Sequence, residues 1–216
     1  IEGIVNSKWP HSKFIISLAG PGVSGAEILF HQQTDALKEA KISNETVSAY
    51  AILPQFTLQT IKNSASLPDS DIKKIIVPFF DQWKKSLPDT VLSRLNAKNV
   101  TGEMYFNLQV SPLLQSWLKF FIITDPAEYW QKVNCPVLIL NGSKDSQVKA
   151  EQNVNAIKEA LQKGGNKNIT TQIFPGLNHL FQHCKTGSFN EYAIIEESFA
   201  PEVLQVMKDW LKRIVD

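Results

Sequence analysis

The chain has 216 residues, 43% hydrophobic and 20% charged, with a formal net charge of +1. That suits one globular domain of ordinary core size with room for an insertion, and it argues against a strongly basic nucleic-acid surface. No Lys/Arg run exceeds two residues, and no apolar run approaches the ~18 residues of a membrane span, so neither nucleic acid nor a membrane span is expected.

The chain opens on I-E-G-I-V-N-S, a short amphipathic piece, without the basic-then-apolar pattern of a signal peptide, and none is expected. K-F-I-I-S-L-A follows at 13–19. Continuous Phe, Ile, Ile and Leu without alternation predict a strand buried on both faces, as in a parallel sheet. The strand runs into G-P-G-V-S-G at 20–25, which has the spacing of a dinucleotide-binding fingerprint. That fold needs a second strand soon after its first helix, ending in an Asp or Glu for the ribose. Here the residues after Gly25 continue as helix, and Asp35 and Glu39 lie inside the helical pattern. The glycines therefore read as a sharp exit from the sheet, with Gly20 and Gly22 supplying unusual backbone angles around Pro21.

Residues 26–125 read as helix almost throughout. A-E-I-L-F-H-Q-Q-T-D-A-L-K-E-A puts Ile28, Leu29, Gln32 and Leu37 near one face, and S-N-E-T at 43–46 has the form of a helix start. D-S-D-I-K-K-I-I-V-P-F-F-D-Q-W-K-K-S-L opens with Asp69 and Asp71, which suit a helix N-terminus, and spaces Ile72, Ile75, Ile76, Phe79, Phe80 and Trp83 helically. P-D-T-V-L-S-R-L and S-P-L-L-Q-S-W-L-K-F-F-I continue the pattern. Phe56, Tyr105, Phe106, Trp117, Phe120 and Phe121 add to the aromatic content. Most of these rings are expected to fill a small helical core, with a minority lining an apolar pocket.

From 126 onward the pattern alternates. C-P-V-L-I-L-N-G is a short buried strand, and A-E-Q-N-V-N-A-I-K-E-A-L-Q-K-G-G is a helix closed by Gly164 and Gly165. N-I-T-T-Q-I-F-P-G is a strand, and P-E-V-L-Q-V-M-K-D-W-L-K-R-I-V is an amphipathic helix with Pro201 in its first turn. Strand, helix, strand, helix predicts a parallel sheet in an α/β fold. Cys135 and Cys184 form no disulfide framework and fit no metal-ligand spacing. One starts a strand and the other follows a loop at the far end of that sheet, so both are expected to be free.

Two stretches carry chemistry. V-L-I-L-N-G-S-K-D-S-Q-V breaks its strand at Asn141-Gly142 and presents Asp145; T-Q-I-F-P-G-L-N-H-L-F-Q breaks at Pro175-Gly176 and presents His179. Either residue alone also suits an ordinary turn. Functional groups of open α/β sheets, however, collect beyond the carboxyl ends of the strands, where neighbouring loops converge. A carboxylate and an imidazole on adjacent exits can meet, the carboxylate orienting the ring whose other nitrogen acts as general base. His179 and His183 also have the spacing of helical zinc ligands, but Leu180 stands where H-E-x-x-H has its glutamate, and no third ligand is evident. No metal or organic cofactor is expected, and His183 is read as solvent-facing or locally packed.

F-I-I-S-L-A-G-P-G, the helical insertion, C-P-V-L-I-L-N-G-S-K-D-S-Q-V, F-P-G-L-N-H-L-F-Q and the last helix together resemble the α/β-hydrolase superfamily, and more narrowly lid-bearing bacterial serine esterases. The resemblance implies the C-terminal half of an α/β-hydrolase parallel sheet, built from 1–25 and 126–216, with a helical lid or cap over 26–125. It places the triad acid on Asp145 and the triad base on His179. The family nucleophile, a serine in G-x-S-x-G on a tight strand-to-helix turn, is missing. Gly22-Val23-Ser24-Gly25-Ala26 comes nearest, but its second glycine is one place early and it follows the wrong strand. I-E-G-I-V-N-S resembles the helix after the nucleophile, so the serine is expected a few residues before Ile1. The implied activity is hydrolysis of carboxylic esters with an apolar acyl or aryl group, inactive in this chain alone. A non-catalytic binding or assembly module is a second reading, and a peptidase or thioesterase on the same triad is a third.

Overall fold

The computed structural model describes residues 4, 6 and 11–215. Apart from Ile4 and Asn6, the opening I-E-G-I-V-N-S lies outside the described residues. The chain divides into two compact units, residues 1–23 with 125–216, and residues 24–124.

The first unit holds a parallel sheet of three strands among the described residues: β1 (Ile15–Leu18), β2 (Val137–Gly142) and β3 (Ile169–Phe174), in the order β1-β2-β3. The register pairs Ile15 with Val137 and Val137 with Ile169. β2 is buried along its whole length, and its side chains alternate between two cores with the period of two that a strand imposes. Val137 and Ile139 pack with Ile15, Trp130, Val133 and the apolar face of a helix over Ala150–Lys163. Leu138 and Leu140 pack with Phe174, Val203 and Trp210, the last two from the helix Pro201–Val215. Full burial of each such side chain contributes roughly 1.5–3 kcal/mol, which is why the continuous V-L-I-L run occupies the centre of the sheet.

The outer strands differ from the centre. β1, expected to be buried on both faces, has Ile15 and Ser17 inside but Leu18 40% exposed. It has a strand partner on one side only among the described residues, and no element there covers Leu18 as the helices cover β2. β3 exposes Thr171 and Gln172 for the same positional reason. Beyond β1 the backbone angles also depart from expectation. The left-handed residue is Ala19 (φ 48°), and neither Gly20 nor Gly22 has positive φ. Gly22 is required instead by close approach: its N–H donates to Asn153 Oδ1 at 2.8 Å, and a Cβ would collide with the Asn153 carbonyl. The sharp exit from the sheet is real, but contact with the Ala150–Lys163 helix enforces it. That helix ends as expected, with Gly164 as its cap and Gly165 at φ 88°.

The second unit is helical throughout its regular structure. In chain order its helices are α1 (Gly25–Glu39), α2 (Asn44–Asn63), α3 (Asp69–Lys85), α4 (Asp89–Arg94) and α5 (Gly102–Tyr105), then a π turn (Phe106–Val110), a 3₁₀ turn (Ser111–Leu114) and α6 (Ser116–Ile123). Ser24 caps α1 and Ser43 caps α2, each hydroxyl accepting a backbone N–H three residues on. α2 and α3 each contain an interior proline, Pro54 and Pro78, which removes one rung of the hydrogen-bond ladder. Two apolar clusters hold the unit. Leu58, Ile61, Ile72, Ile76, Phe106 and Val110 belong to one, and Leu53, Phe80, Trp83, Leu92 and Ala97 to the other. The aromatic residues therefore divide: Phe80, Trp83 and Phe106 are core, whereas Trp117 is 60% exposed. The remaining helices belong to the first unit: α7 (Ala127–Trp130), α8 (Ala150–Lys163), α9 (Phe189–Tyr192) and α10 (Pro201–Val215).

Candidate active site

Asp145 and His179 emerge from the carboxyl ends of β2 and β3, and backbone contacts lock the two exits together. Ser143 N–H donates to Phe174 O at 2.8 Å, and Lys144 N–H donates to Leu177 O at 2.9 Å. Ser143 Oγ accepts from Gly176 N–H at 2.9 Å. Gly142 permits this crossing, since a Cβ there would run into the carbonyls of Leu177 and Asn178.

On this frame His179 Nδ1 lies 2.8 Å from Asp145 Oδ2. The carboxylate is buried, while the imidazole side chain is 25% exposed. Asp145 Oδ1 accepts two backbone N–H groups, from Gln147 and Val148, each at 2.8 Å. Charge-assisted bonds of this kind hold the carboxylate in one orientation, with Oδ2 turned to the ring. Asn141 Nδ2 donates to Val148 O at 3.1 Å and fixes the loop that supplies those N–H groups. A carboxylate accepts only, so the neutral imidazole carries its proton on Nδ1 and leaves the lone pair on Nε2. Nε2 makes no hydrogen bond among the described residues.

Sequence reasoning did not find the residues that shape the histidine turn. Asn178 is fully buried, and its Oδ1 accepts from Leu180 N–H at 2.9 Å and Gln182 N–H at 3.0 Å. Its Nδ2 donates to Gln182 Oε1 at 2.9 Å, and Gln182 Nε2 donates to Glu197 O at 2.7 Å. Phe181, at φ 56°, drives its ring into the core beside Phe174 and Phe199 and completes the turn. The available signal was the asparagine directly before the histidine, a residue type that bonds its own downstream backbone.

The other candidates have local roles. His183 points away from the dyad, Nδ1 to Glu197 Oε2 at 3.0 Å and Nε2 to Glu202 Oε1 at 3.1 Å. Cys135 and Cys184 are free thiols. Burial, the largest influence on each, raises both above the ordinary cysteine range, so neither is an activated nucleophile. Ser24 is occupied as the cap of α1, its Oγ accepting from Glu27 N–H at 3.4 Å.

A three-stranded parallel sheet flanked by helices matches part of an α/β-hydrolase fold. A model of the dienelactone hydrolase family matches residues 107–215, half of the chain, and the chain belongs to that family. Hydrolase chemistry of the α/β-hydrolase type follows. No curated protein and no solved structure matches the chain.

Proposed function

We propose that the protein is a serine hydrolase of carboxylic esters, to which this chain contributes Asp145 as acid and His179 as base. The 2.8 Å bond between His179 Nδ1 and Asp145 Oδ2, with Nε2 left without a partner among the described residues, is the observation that carries this reading. In the reaction a serine hydroxyl gives its proton to Nε2 as its oxygen attacks the acyl carbonyl. Asp145 stabilises the imidazolium so formed. The same proton passes to the departing alcohol, leaving an acyl-enzyme. Water then gives a proton to Nε2, attacks the acyl carbon, and releases the carboxylic acid as the proton returns to the serine.

The 216 residues contain no G-x-S-x-G, so the proposal takes the nucleophile and its oxyanion donors from a segment preceding Ile1. On this reading the aromatic-rich helical insertion is the lid, which favours an apolar acyl or aryl group.

A fluorophosphonate probe and a p-nitrophenyl acyl ester test the proposal, with this chain and an N-terminally extended form assayed side by side. The extended form is expected to label stoichiometrically and turn over, while this chain does neither. His179→Ala in the extended form should lower kcat by roughly 10³-fold or more. An extended form that neither labels nor turns over would overturn the reading and leave a non-catalytic module.

A further inference from the structure

Among the described residues, a pocket of about 490 Å³ is lined by residues of the helical unit. It is a cleft among residues of two packed clusters, open to solvent beside the exposed Met104 and Leu108. It also falls within the range of small-molecule sites. Of the lining residues, Leu58 belongs to the first apolar cluster, while Leu53, Phe80 and Trp83 belong to the second. The π turn Phe106–Val110 brings Leu108 and Gln109 to the same pocket. An insertion of that type in a helix is frequently found at functional sites.

The polar lining, from Gln33, Tyr50, Thr57, Asn96, Tyr105 and Gln109, is neutral. Tyr50 donates to Gln33 Oε1 at 3.1 Å, and Tyr105 shares a 3.0 Å hydrogen bond with Thr57. Phe80 stacks on Tyr105 with centroids 4.8 Å apart, giving a flat aromatic wall. Among the described residues, no Asp, Glu, Lys, Arg or His lines the pocket. Burial raises both phenols above the ordinary tyrosine range, so they stay uncharged at neutral pH. An anion entering would lose its hydration without meeting a cation, which is costly.

We propose that this pocket binds an uncharged, predominantly apolar small molecule bearing a neutral hydrogen-bonding group, and discriminates against carboxylates and other anions. The described lining belongs to the helical unit, and the proposal does not rest on the hydrolase reading.

The test uses the 216-residue chain and two fluorescent probes of one ring skeleton, neutral phenylnaphthylamine and anionic anilinonaphthalene sulfonate. The neutral probe is expected to bind one per chain, about tenfold or more tighter than the sulfonate. Met104→Trp and Leu108→Trp enlarge side chains that line the pocket but are 44% and 66% exposed, so the core need not move. Each should weaken the neutral probe by about tenfold. Leu108→Trp, at the more exposed position, decides the matter if circular dichroism shows Met104→Trp misfolded. Trp117→Ala, outside the lining, and His179→Ala, in the other unit, should leave binding unchanged. Equal or tighter sulfonate binding would overturn the proposal. So would loss of binding in Trp117→Ala or His179→Ala, or undiminished binding in both tryptophan variants.

Discussion

Replacing Asp145 by Asn changes one atom of the dyad and should redirect the proton on His179. An asparagine has one acceptor oxygen where the carboxylate has two. In the native loop Oδ1 serves two backbone donors at 2.8 Å each, whereas Oδ2, among the described residues, serves the imidazole. If the amide oxygen faced His179, the N–H groups of Gln147 and Val148 would both lack an acceptor, at about 1–3 kcal/mol each. The oxygen therefore stays on the backbone, favoured by roughly 2–6 kcal/mol, and the amide NH₂ turns to His179. Nδ1 must then accept, the proton moves to Nε2, and the nitrogen needed as base loses its lone pair. At 1.4 kcal/mol per tenfold, the competent arrangement falls on the order of 30-fold to 10⁴-fold, a range that includes the loss of about 10⁴ known for a wrong histidine tautomer in a triad. Nitrogen-15 chemical shifts of His179 read the tautomer directly in the 216-residue chain. Ester turnover by a form that includes the nucleophile reads the consequence. If Nδ1 remained protonated in Asp145→Asn, or turnover stayed within about threefold of the parent, the tautomer reasoning would be refuted.

Other perturbations test the frame. Asn178→Ala leaves the N–H groups of Leu180 and Gln182 without their acceptor in a buried turn, and should destabilise the first unit by about 2–4 kcal/mol in urea unfolding. A change under about 0.5 kcal/mol would mean the turn does not depend on that side chain. Gly22→Ala drives a methyl into the Asn153 carbonyl, a backbone group that cannot swing aside, and should lower the melting temperature by several degrees. An unchanged melting curve would count against close approach as the reason for the glycine. The Glu197 carboxyl is held below its ordinary range, first by the His183 backbone N–H and also by the His183 side chain. Its folded pKa is depressed, so the stability it contributes is full above the unfolded value of about 4.3 and fades as pH falls through the folded one. The stability gap between the parent and Glu197→Gln should therefore shrink as pH falls below about 4.3; a gap that does not shrink there would exclude this linkage.

What the sequence determined by itself is local or periodic. The run V-L-I-L, bounded by Pro136 and Asn141-Gly142, reads as a short strand buried on both faces, and β2 is buried along its whole length. Ser43 before N-E-T, and Gly164-Gly165 after a helical period, mark helix ends through hydrogen bonding and backbone freedom that operate over a few residues. The loops carrying Asp145 and His179 were legible because they follow such strands. Only the tertiary structure decided how chain-distant groups meet. It brought the two loops to 2.8 Å, made Asn178 and Gln182 the frame of the histidine, and moved the left-handed residue from glycine to Ala19. It also exposed Leu18 at a strand with one partner among the described residues, and opened a pocket between two helical clusters. Each depends on which surfaces come together across tens of residues, and the periodicity of a segment records which face is apolar but not what will cover it.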